Sequence, residues 1–380
     1  MLTRLDDYPI HQTPEPIAHR ATSDPNAYDR YWFNGVDQAG AFYFGAALGL
    51  YPHQHVMDAH FSFLGPDGVQ HSLHASRLAP KEPTLTRVGP ISLTILEPMR
   101  RLRFAAAENE HGIGCDLTFV SRAPALEEER ARMRAFDSTR NLVDMTRFTQ
   151  FGTWEGWVRA GGVTTRIDPA TTFATRDRSW GVRSVGAAAP ARPTAPPAFG
   201  WLWAPVHFAD ECALVGYFQN ADGTQWGASG MRIAVSTAPA LHADPGDPAL
   251  RAFEPTGDAL TFVPGTRWVK SGVFRGRERG PAAQGAAEIA LELEVTRRFN
   301  MNGLGYAHPQ WGHGVWQGEL RVESEVWKES DLAPGNPFHN HIHNLVTAKL
   351  GAKRGVGLLE QILFGPLSRY GFSDFLGGAK

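Results

Sequence analysis

Hydrophobic and polar positions alternate along much of the chain, in short runs closed off by turn residues. HVMDAHFSFL (55–64), ISLTILEP (91–98), GCDLTFVSRA (114–123), CALVGYFQ (212–219), MRIAVST (231–237) and AEIALELEVTRRF (287–299) all carry this two-residue period. Such a period puts one face of a strand toward a core and the other toward solvent. Many such strands with few helix-period segments predict an all-β protein built from antiparallel sandwiches or barrels.

A faint internal repeat divides the pattern. FSFLGPDGVQHSLHASRL begins at residue 61 and VGYFQNADGTQWGASGMRI at residue 215, and the pairs Asp67/Asp222, Gly68/Gly223, Gln70/Gln225 and Arg77/Arg232 all stand 155 positions apart. Each copy reads as a strand, an Asp-Gly turn and a second strand, the signature of a hairpin. A constant offset in a chain of this length predicts two related β-domains. The expected organisation is an N-terminal arm over 1–27, one β-domain over 28–170, a second over 171–330, and an extension over 331–380. Within that extension, Asn336-Pro337 resembles a helix start, and the stretch is expected to be partly helical. The proline-rich run at 186–200, GAAAPARPTAPPAFG, reads as a flexible surface excursion.

Composition narrows the partners. With 37 Lys and Arg against 39 Asp and Glu, the formal charge is −2, so nothing favours a nucleic-acid partner. The 42% hydrophobic content suits a globular chain with a real core, and two cysteines, Cys115 and Cys212, are too few for a disulfide framework. The longest apolar run, AGAFYFGAALGLYP (39–52), is too short to span a bilayer, and no secretory segment is evident, so a cytoplasmic location is expected. The extension is locally basic. It could lie on a membrane surface, pack on its own barrel or meet a second subunit in a homo-oligomer; its small positive excess favours packing.

Candidate chemistry concentrates in TRDRSWGVR (175–183). If extended, this segment sets Thr175, Asp177 and Ser179 on one face and Arg176, Arg178 and Trp180 on the other. Asp177 would then point away from the adjacent arginines. In an apolar interior its carboxyl would stay protonated and could donate a proton. The competing reading is a structural clasp, with the arginines paired across a domain seam. FGWLWAPVHF (199–208) places Trp201 and Trp203 on one face. With Trp154, Trp157, Trp180 and Trp226 they could line an aromatic cavity able to stabilise a cation, or they could simply be core. The histidines of FHNHIHN, His339, His341 and His343, could hold a metal, but spacing fixes no partner carboxylate. A polar, solvent-facing cluster is the favoured reading, and no metal is assigned. Nucleotide-binding glycine motifs, nucleophile elbows and zinc-protease motifs are all missing, so no cofactor is expected.

TQFGTWEGW (149–157), RDRSWGVR (176–183) and FGWLWAP (199–205), with YFGAALGLYP and VQHSLHASR earlier, give the chain a resemblance to the AttH/hydroxyneurosporene-synthase-like proteins over roughly residues 28 to 330. The resemblance implies two packed lipocalin-like β-barrels. It also implies cofactor-free chemistry on a hydrophobic, often isoprenoid, substrate, as in carotenoid 1,2-hydratase. Asp177 matches that enzyme's aspartate beside the tryptophan–glycine motif, whereas its tyrosine has no counterpart, Phe173 and Thr175 standing nearby.

The functional expectation is therefore a lyase or isomerase without a cofactor. Asp177, or alternatively Glu155, would protonate an alkene, allylic alcohol or enone. Trp180, Trp201, Trp203 and Trp154 would line the pocket, and Gln150 and Arg178 would orient a polar head group. The alternative is a carrier of lipid or terpenoid that uses a barrel cavity without catalysis.

Overall fold

The structure, a computed structural model, describes residues 2–134, 141–186, 198–244, 246–278 and 287–379. Among them there is no α-helix, only short 3-10 turns between strands. All six alternating segments form strands, for example Val56–Leu64, Ile91–Glu97 and Glu288–Asn300. Most of the proline-rich run, 187–197, lies outside the described residues.

The first domain is a curled antiparallel sheet. Its central neighbours are Val56–Leu64, Tyr43–Tyr51, Ala27–Asp37, Thr172–Arg183, Asn141–Ala160 and Gly114–Ser121. The second is a closed barrel of eight strands running from Phe199–His207 to Lys353–Phe364. The two turns of the repeat are built alike. Gly68 and Gly223 both adopt left-handed φ, of 80° and 86°, and their amides bond to the carbonyls of Gly65 and Asn220 at 3.1 and 3.0 Å. Asp67 Oδ1 and Asp222 Oδ1 accept the amides of Val69 and Thr224 at 3.1 and 2.9 Å. A side chain at either glycine would be strained in that backbone region, which explains its identity.

Three expected boundaries are corrected. Thr172–Arg183 belongs to the first sheet, between Ala27–Asp37 and Asn141–Ala160, rather than opening the second domain. Leu320–Lys328 also returns to the first sheet, pairing with Val69–Leu78. The extension is not helical. His341–Leu350 and Lys353–Phe364 are the last two strands of the closed barrel, and the helix start at Asn336 supports one 3-10 turn, Pro337–His339. Branched residues such as Ile342, Val346 and Ile362 fit pleated sheet better than helix, and barrel closure uses them.

Alternation sorts the side chains into three apolar layers. Phe33, Phe44, Phe61, Phe104, Phe119 and Trp154 fill the first domain. Leu202, Val215, Tyr217, Phe274 and Leu359 fill the second barrel. Between them, Trp32, Tyr43 and Phe151 pack on Trp201, Trp203, Phe299 and Leu345. Residues 32 and 33, or 202 and 203, thus look in opposite directions, and the outward set from each domain makes the seam.

Candidate functional site in the interdomain seam

The extended reading of 175–183 holds. In Thr172–Arg183, Asp177 pairs in register with Trp32 on one side and Thr149 on the other. It shares the seam-facing side with Thr175 and Ser179, while Arg176 and Arg178 turn into the first domain. Asp177 remains partly accessible, and its carboxylate makes no hydrogen bond or ion pair with the described residues. Burial pushes the carboxyl up to about 6, against the pull of the Arg30 and Arg147 guanidinium groups, and the Glu128 and Glu360 carboxylates add to the rise.

Indoles and charges share this seam. Trp32 meets Trp203 edge-on at 5.7 Å and His343 at 5.3 Å. Arg147 lies 4.7 Å over Trp201 and 5.7 Å from Trp203, held by Glu128 through Nε at 2.9 Å and Nη2 at 2.6 Å. Thr149 donates a further bond to Glu128 at 2.6 Å. Arg30, 3% exposed, stacks 4.5 Å over Tyr306, and its Nε and Nη2 have no hydrogen-bond partner. Burial, ahead of the neighbouring charges, pushes the Tyr306 hydroxyl up to about 12. From the second barrel, His341 Nε2 stands 2.5 Å from Glu360, and Tyr43 bonds His343 Nδ1 at 2.8 Å. Burial alone would raise the Glu360 carboxyl, but the two imidazoles beside it outweigh that and hold it well below the ordinary range.

The expected site residues divide. Asp177, Trp201 and Trp203 come together at the seam. The others do not. Glu155 is exposed, about 20 Å further along its strand than Thr149 at ~3.3 Å per residue, so it is no buried acid. Gln150 is buried in the first domain, where its Oε1 accepts from Arg176 at 2.8 and 2.6 Å. Arg178 is bound to Asp29 and lies 4.0 Å over Tyr31. Trp180 is 42% exposed, beside Phe148. Trp154 is core, donating to the Asn34 carbonyl at 2.6 Å. The histidine cluster is not solvent-facing either: His341 and His343 are buried in the seam, and His339 turns away to accept the Ala333 amide at 3.0 Å.

Arg30, Trp32, Glu128, Arg147, Tyr306 and Glu360 were not anticipated. Trp32 and Arg30 carried a usable signal, since RYWFN alternates (residues 30–34) and neighbours the aspartate strand. Tyr306 and Glu360 carried none, because only closure of the second barrel brings them in.

A family of unknown function (DUF8625) matches residues 2–373. The chain belongs to this family. No curated protein matches it in sequence. Among solved structures it is similar to an AttH-like protein of Nitrosomonas europaea, with a TM-score of 0.51 at 13% identity, covering 93% of this chain and 98% of that one. It is also similar to kievitone hydratase of Nectria haematococca, with a TM-score of 0.49 at 13% identity, covering 91% and 93%. The AttH-like structure agrees with the two lipocalin-like β-domains described above. Among the described residues no helix is long and apolar enough to cross a membrane.

Proposed function

We propose that the chain is an acid–base lyase or isomerase acting at the seam on a hydrophobic, isoprenoid-like substrate that carries a carbonyl. The supporting observation is Asp177: a carboxyl raised to about 6, without a hydrogen-bond partner, opposite Trp32. A group of that kind holds its proton up to about pH 6, about two pH units further than an ordinary aspartate, and can also take one back.

The surrounding charge selects among substrates. A free carbocation would be disfavoured beside Arg30 and Arg147, despite the indole faces. An enone suits the site better, because Arg30 has unpaired N–H groups for a developing oxyanion. In hydration, a water oxygen bonds to the β-carbon and the double-bond electrons move onto the carbonyl oxygen beside Arg30. The Asp177 proton then goes to the α-carbon as the carbonyl re-forms, and the water's surplus proton reloads the carboxylate. Dehydration runs the same steps backward. Trp32, Trp203 and Trp201 shelter the apolar body of the substrate.

Loss of conjugated-enone absorbance over a panel of isoprenoid and aryl enones tests this reading. Asp177→Asn keeps the shape and removes the acid, and turnover should fall at least about 100-fold. Unchanged turnover in that variant would remove Asp177 from the mechanism.

A carrier role has one observation of its own. A cavity of ≈ 960 Å³ opens into the first domain, lined by Leu48, Leu50, Met57, Leu93 and Ile95 and flanked by Arg178 and the N-terminal arm. Mass spectrometry of lipid extracted from the purified chain, before and after incubation, separates the readings. One unchanged compound favours the carrier, and conversion favours the enzyme.

A further inference from the structure

Two groups of histidine and carboxylate side chains bring their ligand atoms within 4.8 Å of one another: His74, His308 and Glu325, and His341, His343 and Glu360. Hydrogen bonding separates them. In the first, His308 Nδ1 accepts the amides of Gln310 and Trp311 at 3.0 and 2.7 Å. Its proton must therefore sit on Nε2, directed at Glu325 3.1 Å away. His74 Nε2 meets the other Glu325 oxygen at 3.0 Å, and its Nδ1 meets His60 Nδ1 at 2.8 Å. Both ring nitrogens of His74 and of His308 are occupied, so that group has no free donor for an ion; His60 Nε2, which lacks a hydrogen-bond partner, lies outside it.

The second group is not closed. His341 Nε2 bonds Glu360 Oε1 at 2.5 Å, but His343 Nε2 stands 3.6 Å from the same oxygen, beyond hydrogen-bond reach. That nitrogen has no hydrogen-bond partner although His343 is 0% exposed. A buried, unpaired imidazole nitrogen calls for an explanation. The backbone shows how the group arises. Positions 341 and 343 alternate onto one face of a strand, and Glu360 pairs in register with His343 on the next strand.

We propose that His341 Nε2, His343 Nε2 and the Glu360 carboxylate bind one divalent first-row transition metal ion, with a coordination position left open toward the seam. Two imidazoles and one carboxylate form the donor set of open zinc sites and of two-histidine, one-carboxylate iron sites. Bonds of ~2.1 Å in a tetrahedral site separate ligand atoms by about 3.4 Å. The His343–Glu360 separation of 3.6 Å already suits that geometry, and the His341–Glu360 contact would open as the ion replaces its hydrogen bond. Tyr43 is the positioning residue. Its hydroxyl, on His343 Nδ1, fixes the ring and directs Nε2 toward the metal. The open position would lie among Tyr306, which packs 4.4 Å from His341, and Trp32.

Binding is read without substrate, so it stands or falls apart from the role of Asp177. The 380-residue chain, stripped by chelator dialysis, is titrated calorimetrically with Zn²⁺ and spectroscopically with Co²⁺. The expected result is one equivalent bound, with visible Co²⁺ bands of low coordination number. His343→Ala and Glu360→Gln should each weaken binding by more than 100-fold. Tyr43→Phe should weaken it by about 10 to 100-fold, and His74→Ala should leave it unchanged. No saturable one-equivalent binding by the wild-type chain would overturn the assignment, whatever the variants do. So would binding that survives in a folded His343→Ala chain, or that is lost only in His74→Ala.

Discussion

Trp32 and Trp203 meet edge to face at 5.7 Å, one from the first sheet and one from the second barrel. The contact joins the domains and also floors the seam, because Asp177 lies in register with Trp32. An edge-to-face indole pair contributes about 0.5–1.5 kcal/mol beyond the area it buries. Trp203→Ala should therefore destabilise the chain by about 3–5 kcal/mol in urea unfolding, as for other buried aromatics. A loss below 1 kcal/mol would mean that the domains are held chiefly elsewhere.

Asp177 makes stability depend on pH with a defined sign. Its carboxyl is raised from 3.8 to about 6 in the metal-free protein, so between those values the folded chain holds a proton that the unfolded chain has lost. Stability present below pH 4 is lost as pH rises through about 6, by at most about 3 kcal/mol at 1.36 kcal/mol per unit. Asp177→Asn removes this dependence. Its stability relative to wild type should be lowest at pH 4 and should climb to a plateau above pH 7, as read from urea midpoints along a pH series. An Asp177-dependent turnover should fall as pH rises through the same value.

The aspartate was legible in the sequence, and its principal neighbours were not, for a physical reason. A two-residue period assigns faces within one strand, so TRDRSW sufficed to separate Asp177 from Arg176 and Arg178. It cannot say which distant strand supplies the opposite wall. By that period Arg147 shares a face with Thr149, but its place in the seam follows from its pair with Glu128, which lies outside the strand. His341 and His343 were noticed as a cluster, but Glu360, which completes them, is brought in by a strand pairing that HNHIHN does not encode. The extension was misjudged for a related reason. Its glycines and short apolar runs fit helix or strand equally until the barrel needs two more strands to close. The Asp-Gly repeat succeeded because a hairpin turn is local chemistry.

Glu128 is the buried anchor of Arg147, with a side chain only 2% exposed. Removing one member of such a pair leaves an uncompensated charge, so Glu128→Ala should cost about 3–5 kcal/mol. Replacing both, Glu128→Leu with Arg147→Met, should cost much less. The single change has a second effect, because the Glu128 charge raises the Asp177 carboxyl while Arg147 lowers it. In a folded Glu128→Gln chain the Asp177 midpoint should drop below about 6, observable by NMR titration of its carboxyl carbon.

Glu155 supplies the contrasting case. It shares its strand face with Thr149 and Phe151 but is exposed, further along the strand than the seam reaches. Glu155→Gln should shift stability by no more than about 0.5 kcal/mol and leave turnover unchanged. A turnover loss comparable with that of Asp177→Asn would require a second acid that this geometry does not provide.

Residues after 340 decide whether the second barrel exists. His341–Leu350 pairs with Glu288–Asn300 on one side and with Lys353–Phe364 on the other, and the last strand closes onto Phe199–His207. Truncation at 340 would expose two strand edges at once, together with the apolar faces of Leu202, Val206 and Leu293, which pack in one core with Val346, Leu359 and Leu363. Open edges beside apolar surface favour association over folding. Were the segment a docked appendage, its removal would leave a soluble two-domain protein with a reduced melting temperature. As barrel strands, its loss should instead abolish the cooperative unfolding transition of the second domain and drive the chain into aggregates. Calorimetry and size-exclusion chromatography of chains ending at 340 and at 380 separate these outcomes, and a soluble 340-residue chain with a sharp two-domain transition would contradict the barrel closure described above.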